Sequence, residues 1–253
     1  MDRYYKLYEA GRGATATVYK AYDKTNDMFV AMKCSQDRML LLKEYHFLKN
    51  VNYPGIPKVY EYFEDGDMSV IIMEYIHGIT LKSLIKEKCA DVRILFKAMF
   101  EIASILLYMH EVEKAYYLDL KPANIILSGQ KAYLIDFGSV RQKMQKNTEN
   151  SGAVYGTKRY AAPELCIEYG EIDEKSDVYG FGCVIAEIIN SFNVNNKQLS
   201  LVVKRCKQKK AVKRYASMRE VIVLYCSAIN YVGVVYTKKV QYGRECCTIH
   251  NRE

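Results

Sequence analysis

The sequence contains no apolar run long enough to span a bilayer. The longest candidate, Ile222 to Tyr236, is broken by Ser227, Asn230 and Gly233. The opening residues, MDRYYKLYEA, lack the apolar core of a secretion signal. No two of the eight cysteines have CxxC spacing, which excludes the common zinc and dithiol frameworks. Cys166, Cys183 and Cys226 sit in apolar runs and read as reduced, buried thiols, so the expectation is a cytoplasmic chain. There is no internal repeat and no low-complexity segment. Proline is scarce: Pro54, Pro57, Pro122 and Pro163 all fall outside the helical stretches below. What remains is ample for a core. Half of the 253 residues are apolar and 12% are aromatic, enough for one large domain or two lobes and too much for disorder.

Acidic residues are missing from one long stretch. Between Lys197 and Arg219 there are nine Lys or Arg and no acid, which accounts for the net charge of +8. A solvated helix face is the plain reading of such a run. The functional alternative is attraction to an acidic partner or a membrane surface. Nucleic acid is not expected, because no binding motif accompanies the charge.

The first third alternates apolar and polar positions in bursts, VYKAYD, MFVAMK, KVYEYF and SVIIMEY. Turn clusters at Asn26-Asp27 and Asp65-Gly66-Asp67 separate them, and the pattern predicts a small antiparallel sheet. One helix interrupts it from about Asp37 to Val51, with Leu40, Leu41, Leu48 and Val51 on one face. Beyond Thr80 the character is helical. Leu95, Met99, Ile102, Leu106 and Met109 follow helical spacing after the N-cap candidate Asp91, and a second apolar helix follows Ser176 through Phe181, Val184, Ile185 and Ile188. This predicts an α+β chain of two lobes: an N-lobe over 4–74, a hinge over 75–78, a C-lobe over 79–224, and an unassigned tail over 225–253.

Three clusters carry chemistry. Residues 11–18, GRGATATV, place two glycines between strands, where backbone amides can approach phosphate oxygens; a plain hairpin turn is the alternative. Lys33 closes the strand-like VAMK, and Glu44 is the only acid between Arg38 and Tyr60. A half-buried lysine needs a partner, so these two pair, whether for structure or for chemistry. The second cluster is YLDLKPAN, 117–124, followed by Asp136-Phe137-Gly138 at a strand end. Asp119 can orient a hydroxyl, Lys121 can neutralise phosphate, and Asn124 with Asp136 can hold hard Mg²⁺, a set suited to phosphoryl transfer. The third is GTKRYAAPE, 156–164, with SDVYGFG, 176–182.

Together, and in this order, these motifs resemble the eukaryotic-type protein kinase family from about residue 4 to residue 224. The NYPGIPK phrase at 52–58 and the GTKRYAAPE segment are most similar to serine/threonine kinases of Gram-positive bacteria. The resemblance implies a bilobal kinase fold using ATP with Mg²⁺ (Mn²⁺ as a second ion), protein substrates and autophosphorylation. It implies that Ala10, Gly11, Gly13 and Val18 cover the nucleotide and that Lys33, held by Glu44, reaches its phosphates. Ala31 and Ile126 sandwich the base, Met73 is the gatekeeper, and Glu74 and Ile76 offer it backbone hydrogen bonds. Asp119 is the catalytic base, Lys121 touches the γ-phosphate, and Asn124 and Asp136 bind the metal. Thr157 faces the substrate, Glu164 pairs with Arg214, and Asp177 and His110 brace the catalytic loop.

The sequence departs from the family pattern in places. Ala16 stands where a third glycine is usual. Leu118 replaces the arginine that pairs with a phosphate on the activation loop, where Thr148 and Ser151 are candidate sites among Arg141, Lys143 and Lys146. The link between the helices ending near Asn190 and starting near Gln198 is short, as is the stretch from Lys33 to Glu44. Cys246 and Cys247 are adjacent, too strained a pair to read as a disulfide. Two other classes stay open beside an active kinase: a pseudokinase interaction module on the same fold, and a small-molecule kinase of the aminoglycoside-phosphotransferase type.

Overall fold

The computed structural model describes residues 3–143, 157–167 and 170–230. Thr148, Ser151, Lys146, Gly156 and the Cys246-Cys247 pair lie outside them. The chain divides into two compact units: 1–78 with 135–138, and 79–134 with 139–253.

The four sequence bursts become strands of one antiparallel sheet in the first unit. Its members are β1 (Tyr4–Arg12), β2 (Thr17–Asp23), β3 (Met28–Ser35), β4 (Val59–Asp65) and β5 (Met68–Glu74), in the order β1-β2-β3-β5-β4. Tight turns join them where the Asn, Asp and Gly clusters stand, with Asp27 at φ 52° and Gly66 at φ 58°. Val30, Met32 and Cys34 pack with Ala21, Val70 and Ile72 as a core cluster. The strand pleat therefore directs Ala31 and Lys33 to the opposite face. Helix α1 (Arg38–Asn50) packs on β4 and β5. Asp37 caps it, accepting from Leu40 N at 2.9 Å, and Leu41, Glu44 and Leu48 form its buried stripe.

The second unit is mainly helical. It begins with β6 (Ile79–Thr80), α2 (Leu81–Glu87) and α3 (Val92–Glu111). Leu95, Met99, Ile102, Leu106 and Met109 of α3 are fully buried, and Asp91 caps its start. Apolar residues cover most of its circumference, as befits a helix enclosed by others; two later helices, Glu174–Ser191 and Met218–Asn230, pack on it. Three short strands follow, β7 (Ala115–Tyr116), β8 (Ile125–Ser128) and β9 (Lys131–Leu134), then β10 (Arg141–Gln142). The sheet β6-β8-β9 and the β10-β7 pair hold the ends of the catalytic loop. Pro122 and Pro163 each open a single 3-10 turn, where a missing N–H costs nothing. Helices α4 (Glu174–Ser191), α5 (Lys197–Cys206) and α6 (Met218–Asn230) complete the described residues. Residue 225, where the sequence reading begins an unassigned tail, lies inside α6; Tyr225 is fully buried and donates to Phe96 O at 2.9 Å.

Two sequence expectations need correction. Cys183 and Cys226 are buried, but Cys166 is exposed. It ends the one-turn helix Pro163–Cys166, which has a single inward position, taken by Leu165. The basic run is not one solvated face either: Arg214 is 3% exposed, and Arg219 pairs with Glu111 at 2.6 Å.

Candidate active site

In the first unit, the turn between β1 and β2 is closed by Gly13 N donating to Ala16 O at 2.8 Å. Neither Gly11 nor Gly13 has a positive φ, and a Cβ on either would meet nothing nearer than 3.6 Å. A hairpin glycine is normally demanded by left-handed backbone. Neither is demanded by left-handed backbone, and the β1–β2 register shifts between Glu9 and Gly11.

On β3, the Lys33 ammonium donates to Glu44 Oε1 at 2.8 Å and Oε2 at 2.6 Å, and to Asp136 Oδ1 at 2.8 Å. The lysine side chain is 9% exposed and that of Glu44 2%. Burial alone would push the ammonium's pKa down, but the two carboxylates outweigh it and hold Lys33 charged, above the usual lysine range. Glu44 also accepts from Phe137 N at 3.2 Å, and the Phe137 ring stacks on Phe47 of α1, centroids 5.8 Å apart. Asp136 sits at φ 65°, a left-handed backbone that is uncommon outside glycine and frequent at functional sites. Its side chain remains 45% exposed. Burial pushes the Glu44 carboxyl up against the pull of Lys33, so the ammonium is held between one enclosed carboxylate and one exposed one.

In the second unit, the catalytic loop is anchored at both ends. Asp177, 1% exposed on α4, accepts from Tyr117 N at 2.8 Å, Leu118 N at 2.7 Å and His110 Nε2 at 2.8 Å. Both residues are therefore braces. Leu118 takes φ 67° and buries its side chain against Ala161, Ala162 and Leu165. At the other end, Asn124 Nδ2 donates to Asp119 O at 3.0 Å and to Asp119 Oδ2 at 3.1 Å. Lys121 Nζ lies 2.5 Å from Asp119 Oδ2 and 3.1 Å from Thr157 Oγ1. The Thr157 hydroxyl donates to Asp119 Oδ1 at 3.2 Å, and its amide does so at 3.1 Å. Asp119, Lys121, Asn124 and Thr157 thus form one closed network.

Each unit offers oxygen donors of the kind a hard cation takes. In the second, Asn124 turns its N–H groups to Asp119, which leaves its carboxamide oxygen out of that contact; in the first, Asp136 offers an exposed carboxylate. Among the described residues no group of three His, Cys, Asp or Glu could enclose a metal. Mg²⁺ does not need one, since it binds through one or two protein oxygens together with phosphates and water.

Of the positions expected from the sequence to face a nucleotide, Ala10, Gly11 and Gly13 are exposed, Val18, Met73, Glu74, Ile76 and Ile126 are half-buried, and Ala31 is buried. The Glu74 amide donates to Lys58 O at 2.8 Å, so a base would meet its carbonyl rather than its N–H. The Glu164–Arg214 pair forms with contacts of 2.6 and 2.8 Å. Burial pushes the Glu164 carboxyl up, but hydrogen bonds from Arg214 and Ser176 prevail and hold it below the usual range. The sequence did not reveal that Arg214 also donates to the carbonyls of Lys175, Gln208 and Lys209, because backbone acceptors leave no mark in side-chain identity.

Comparison with known proteins identifies the family. Residues 4–232 match the protein kinase domain family. The chain is 31% identical to cyclin-dependent kinase F-4 of rice (Oryza sativa subsp. japonica) over 75% of its length and 42% of the relative's. It is 32% identical to the serine/threonine-protein kinase PknG of Mycolicibacterium smegmatis over 70% of the chain and 24% of that protein. It is 30% identical to a protein named as a probable serine/threonine-protein kinase in Clostridium acetobutylicum, over 74% of the chain and 30% of that protein. The chain thus spans less than half the length of these relatives. No described helix is long and apolar enough to cross a membrane. On the family match, the chain belongs to the protein kinase family.

Proposed function

We propose that this domain transfers the γ-phosphoryl group of ATP, with Mg²⁺, to serine or threonine hydroxyls of proteins, itself included. The observation that carries the reading is the hydroxyl of Thr157 donating to Asp119 Oδ1 while Lys121 touches both groups. It places an aliphatic hydroxyl in hydrogen-bond reach of a carboxylate, the relation a substrate hydroxyl needs with its base. Asp119 orients the incoming hydroxyl and accepts its proton as the new O–P bond forms and the bond from the γ-phosphorus to the departing ADP oxygen breaks. Lys121 offsets the charge of the transferring group, and its short contact with Asp119 keeps both in place. Lys33 binds the phosphates, its ammonium kept charged and aimed by Glu44. Asn124 and Asp136 hold Mg²⁺, which supplies neutralisation of phosphate charge. The open glycine turn lets main-chain N–H groups approach the phosphates, and Ala31, Met73, Ile76 and Ile126 offer apolar surface to the base.

The test is incubation with labelled ATP, Mg²⁺ and a generic protein substrate, followed by phosphoamino-acid analysis. Phosphoserine or phosphothreonine should dominate; predominant phosphotyrosine would overturn the substrate class. A pseudokinase module is the second reading, favoured by the short link between α4 and α5, 192–196, where the family usually has a further helix used in docking. Absence of any transfer by a folded, nucleotide-binding chain would establish it.

A further inference from the structure

One strongly charged surface has no part in the chemistry above. Lys207, Lys209 and Lys210 are exposed, and none forms an ion pair among the described residues. A merely solvated run would not need to be held, yet this one is. The buried Arg214 guanidinium donates to Gln208 O at 2.8 Å and Lys209 O at 3.1 Å, while its other edge grips Glu164. Glu164 belongs to the same short segment as Thr157, Lys158 and Arg159, so Arg214 staples the lysine loop to the segment whose threonine touches Asp119.

Helix α4 joins the two a second time. Tyr179, Cys183 and Glu187 recur at four-residue spacing and share one helical face. Arg214 lies over the Tyr179 ring at 4.9 Å, and Arg159 stands 3.7 Å from Glu187, whose carboxylate also accepts from Tyr160. Gly182 lets the lysine loop come close: a Cβ there would lie 2.5 Å from Cys206 Cβ and 3.1 Å from Lys207 Cγ. Lys158 and Arg159 are exposed like the lysines. Exposed cations, Lys158 and Arg159 on one side and Lys207, Lys209 and Lys210 on the other, therefore flank the Glu164–Arg214 pair.

We propose that this surface selects the substrate: it binds protein segments carrying acidic residues around the serine or threonine to be modified. The proposal rests on the phosphoryl-transfer reading for its purpose but not for its test. A membrane would also attract the charge, but the staple ties these lysines to the Thr157 segment, where a peptide and not a lipid must arrive.

The experiment measures direct binding of fluorescent serine peptides by anisotropy, one flanked by Asp and Glu, one by Asn and Gln, one by Lys. The wild-type chain should bind the acidic peptide about tenfold more tightly than the neutral one at low salt, the sum expected of about three exposed ion pairs. About 0.5 M salt should remove the preference. Replacing Lys207, Lys209 and Lys210 together by Gln should bring the two peptides to within about twofold, and replacement by Glu should transfer the preference to the Lys peptide. Equal binding of acidic and neutral peptides by the wild type, or a preference that survives the triple Gln change, overturns the proposal. So does binding to phosphatidylserine vesicles without any peptide preference. A chain that prefers the acidic peptide but phosphorylates none would sink the catalytic reading and leave this one standing.

Discussion

Two buried cations, one in each unit, look alike on a list of ion pairs and differ in what is left over. Arg214 uses its fork completely: two contacts to Glu164 and three to the carbonyls of Lys175, Gln208 and Lys209, with the side chain 0% exposed. Its partner Glu164 takes a further hydrogen bond from Ser176 at 2.8 Å. Charge and hydrogen bonds both balance, and nothing faces outward. Lys33 is shared by two carboxylates, one of them half-exposed on strained backbone. Its second carboxylate reaches the surface. A pair enclosed on every side holds structure, whereas a buried lysine that shares an exposed carboxylate keeps one acceptor within reach of solvent.

That contrast is most sharply tested on activity. Asp119→Asn should lower phosphoryl transfer by about a thousandfold or more with nucleotide affinity nearly unchanged, because only the transition state needs the carboxylate. Asp136→Asn should in addition weaken binding of Mg²⁺-nucleotide, read by thermal shift with and without the ion. Wild-type autophosphorylation by both variants would break the assignment.

Next in size is the structural pair. Arg214→Ala strands a half-buried carboxylate and three carbonyls, a loss of about 3–5 kcal/mol. For a chain of this size that lowers Tm by roughly 10 °C. The Mg²⁺-nucleotide thermal shift should survive in this variant, whereas Lys33→Met should lose it. Arg214→Lys should rescue little, since an ammonium cannot reproduce a planar five-donor fork.

A smaller effect is the acid response of the same pair. The Glu164 carboxyl titrates below its unfolded value of 4.5, so its stabilisation is fully present above that value and disappears as pH falls through the lower folded one. The Tm difference between wild type and Glu164→Gln should therefore narrow below about pH 4.5. A difference that widened in acid would contradict the direction of the shift.

The smallest effect is expected from loop phosphorylation. Leu118 offers apolar contact with Ala161, Ala162 and Leu165 where the family's arginine would offer charge. Exposed cations nearby are worth only about 0–1 kcal/mol to an arriving phosphate. Phosphatase treatment, or the Thr148→Ala, Ser151→Ala double change, should alter activity on an external substrate by less than about tenfold. A loss of about a hundredfold would show that another cation has taken over the role.

Sequence pattern was a good guide wherever the signal was local. Asp37 and Asp91 cap the helices they were expected to start, and the four alternating bursts are four of the five strands of the first sheet. Strand β1 was not among them because nearly all its residues are exposed, which erases alternation. Cys166 misled because one turn of 3-10 helix has no sustained face. In the site, residue identities were legible through the motifs, but their joining was not. Lys33 meets Asp136 across 103 residues, and the positive φ of Leu118 and Asp136 has no marker in side chains that seldom adopt it. The three carbonyls around Arg214 left no trace at all.

The composition of the first unit has a consequence for how the chain is made. Every residue of its sheet and of α1, Lys33 and Glu44 included, has been synthesised by residue 78. Residues 135–138 belong to the same unit but come later. At about 5–20 residues per second, Asp136 and Phe137 follow roughly 3–12 s behind. During that interval the small unit lacks the ring that stacks on Phe47 and the backbone N–H that Glu44 accepts. Asp136, the acceptor that Lys33 shares with Glu44, and Phe137, the partner of Phe47, are thus the last members of that cluster to be synthesised.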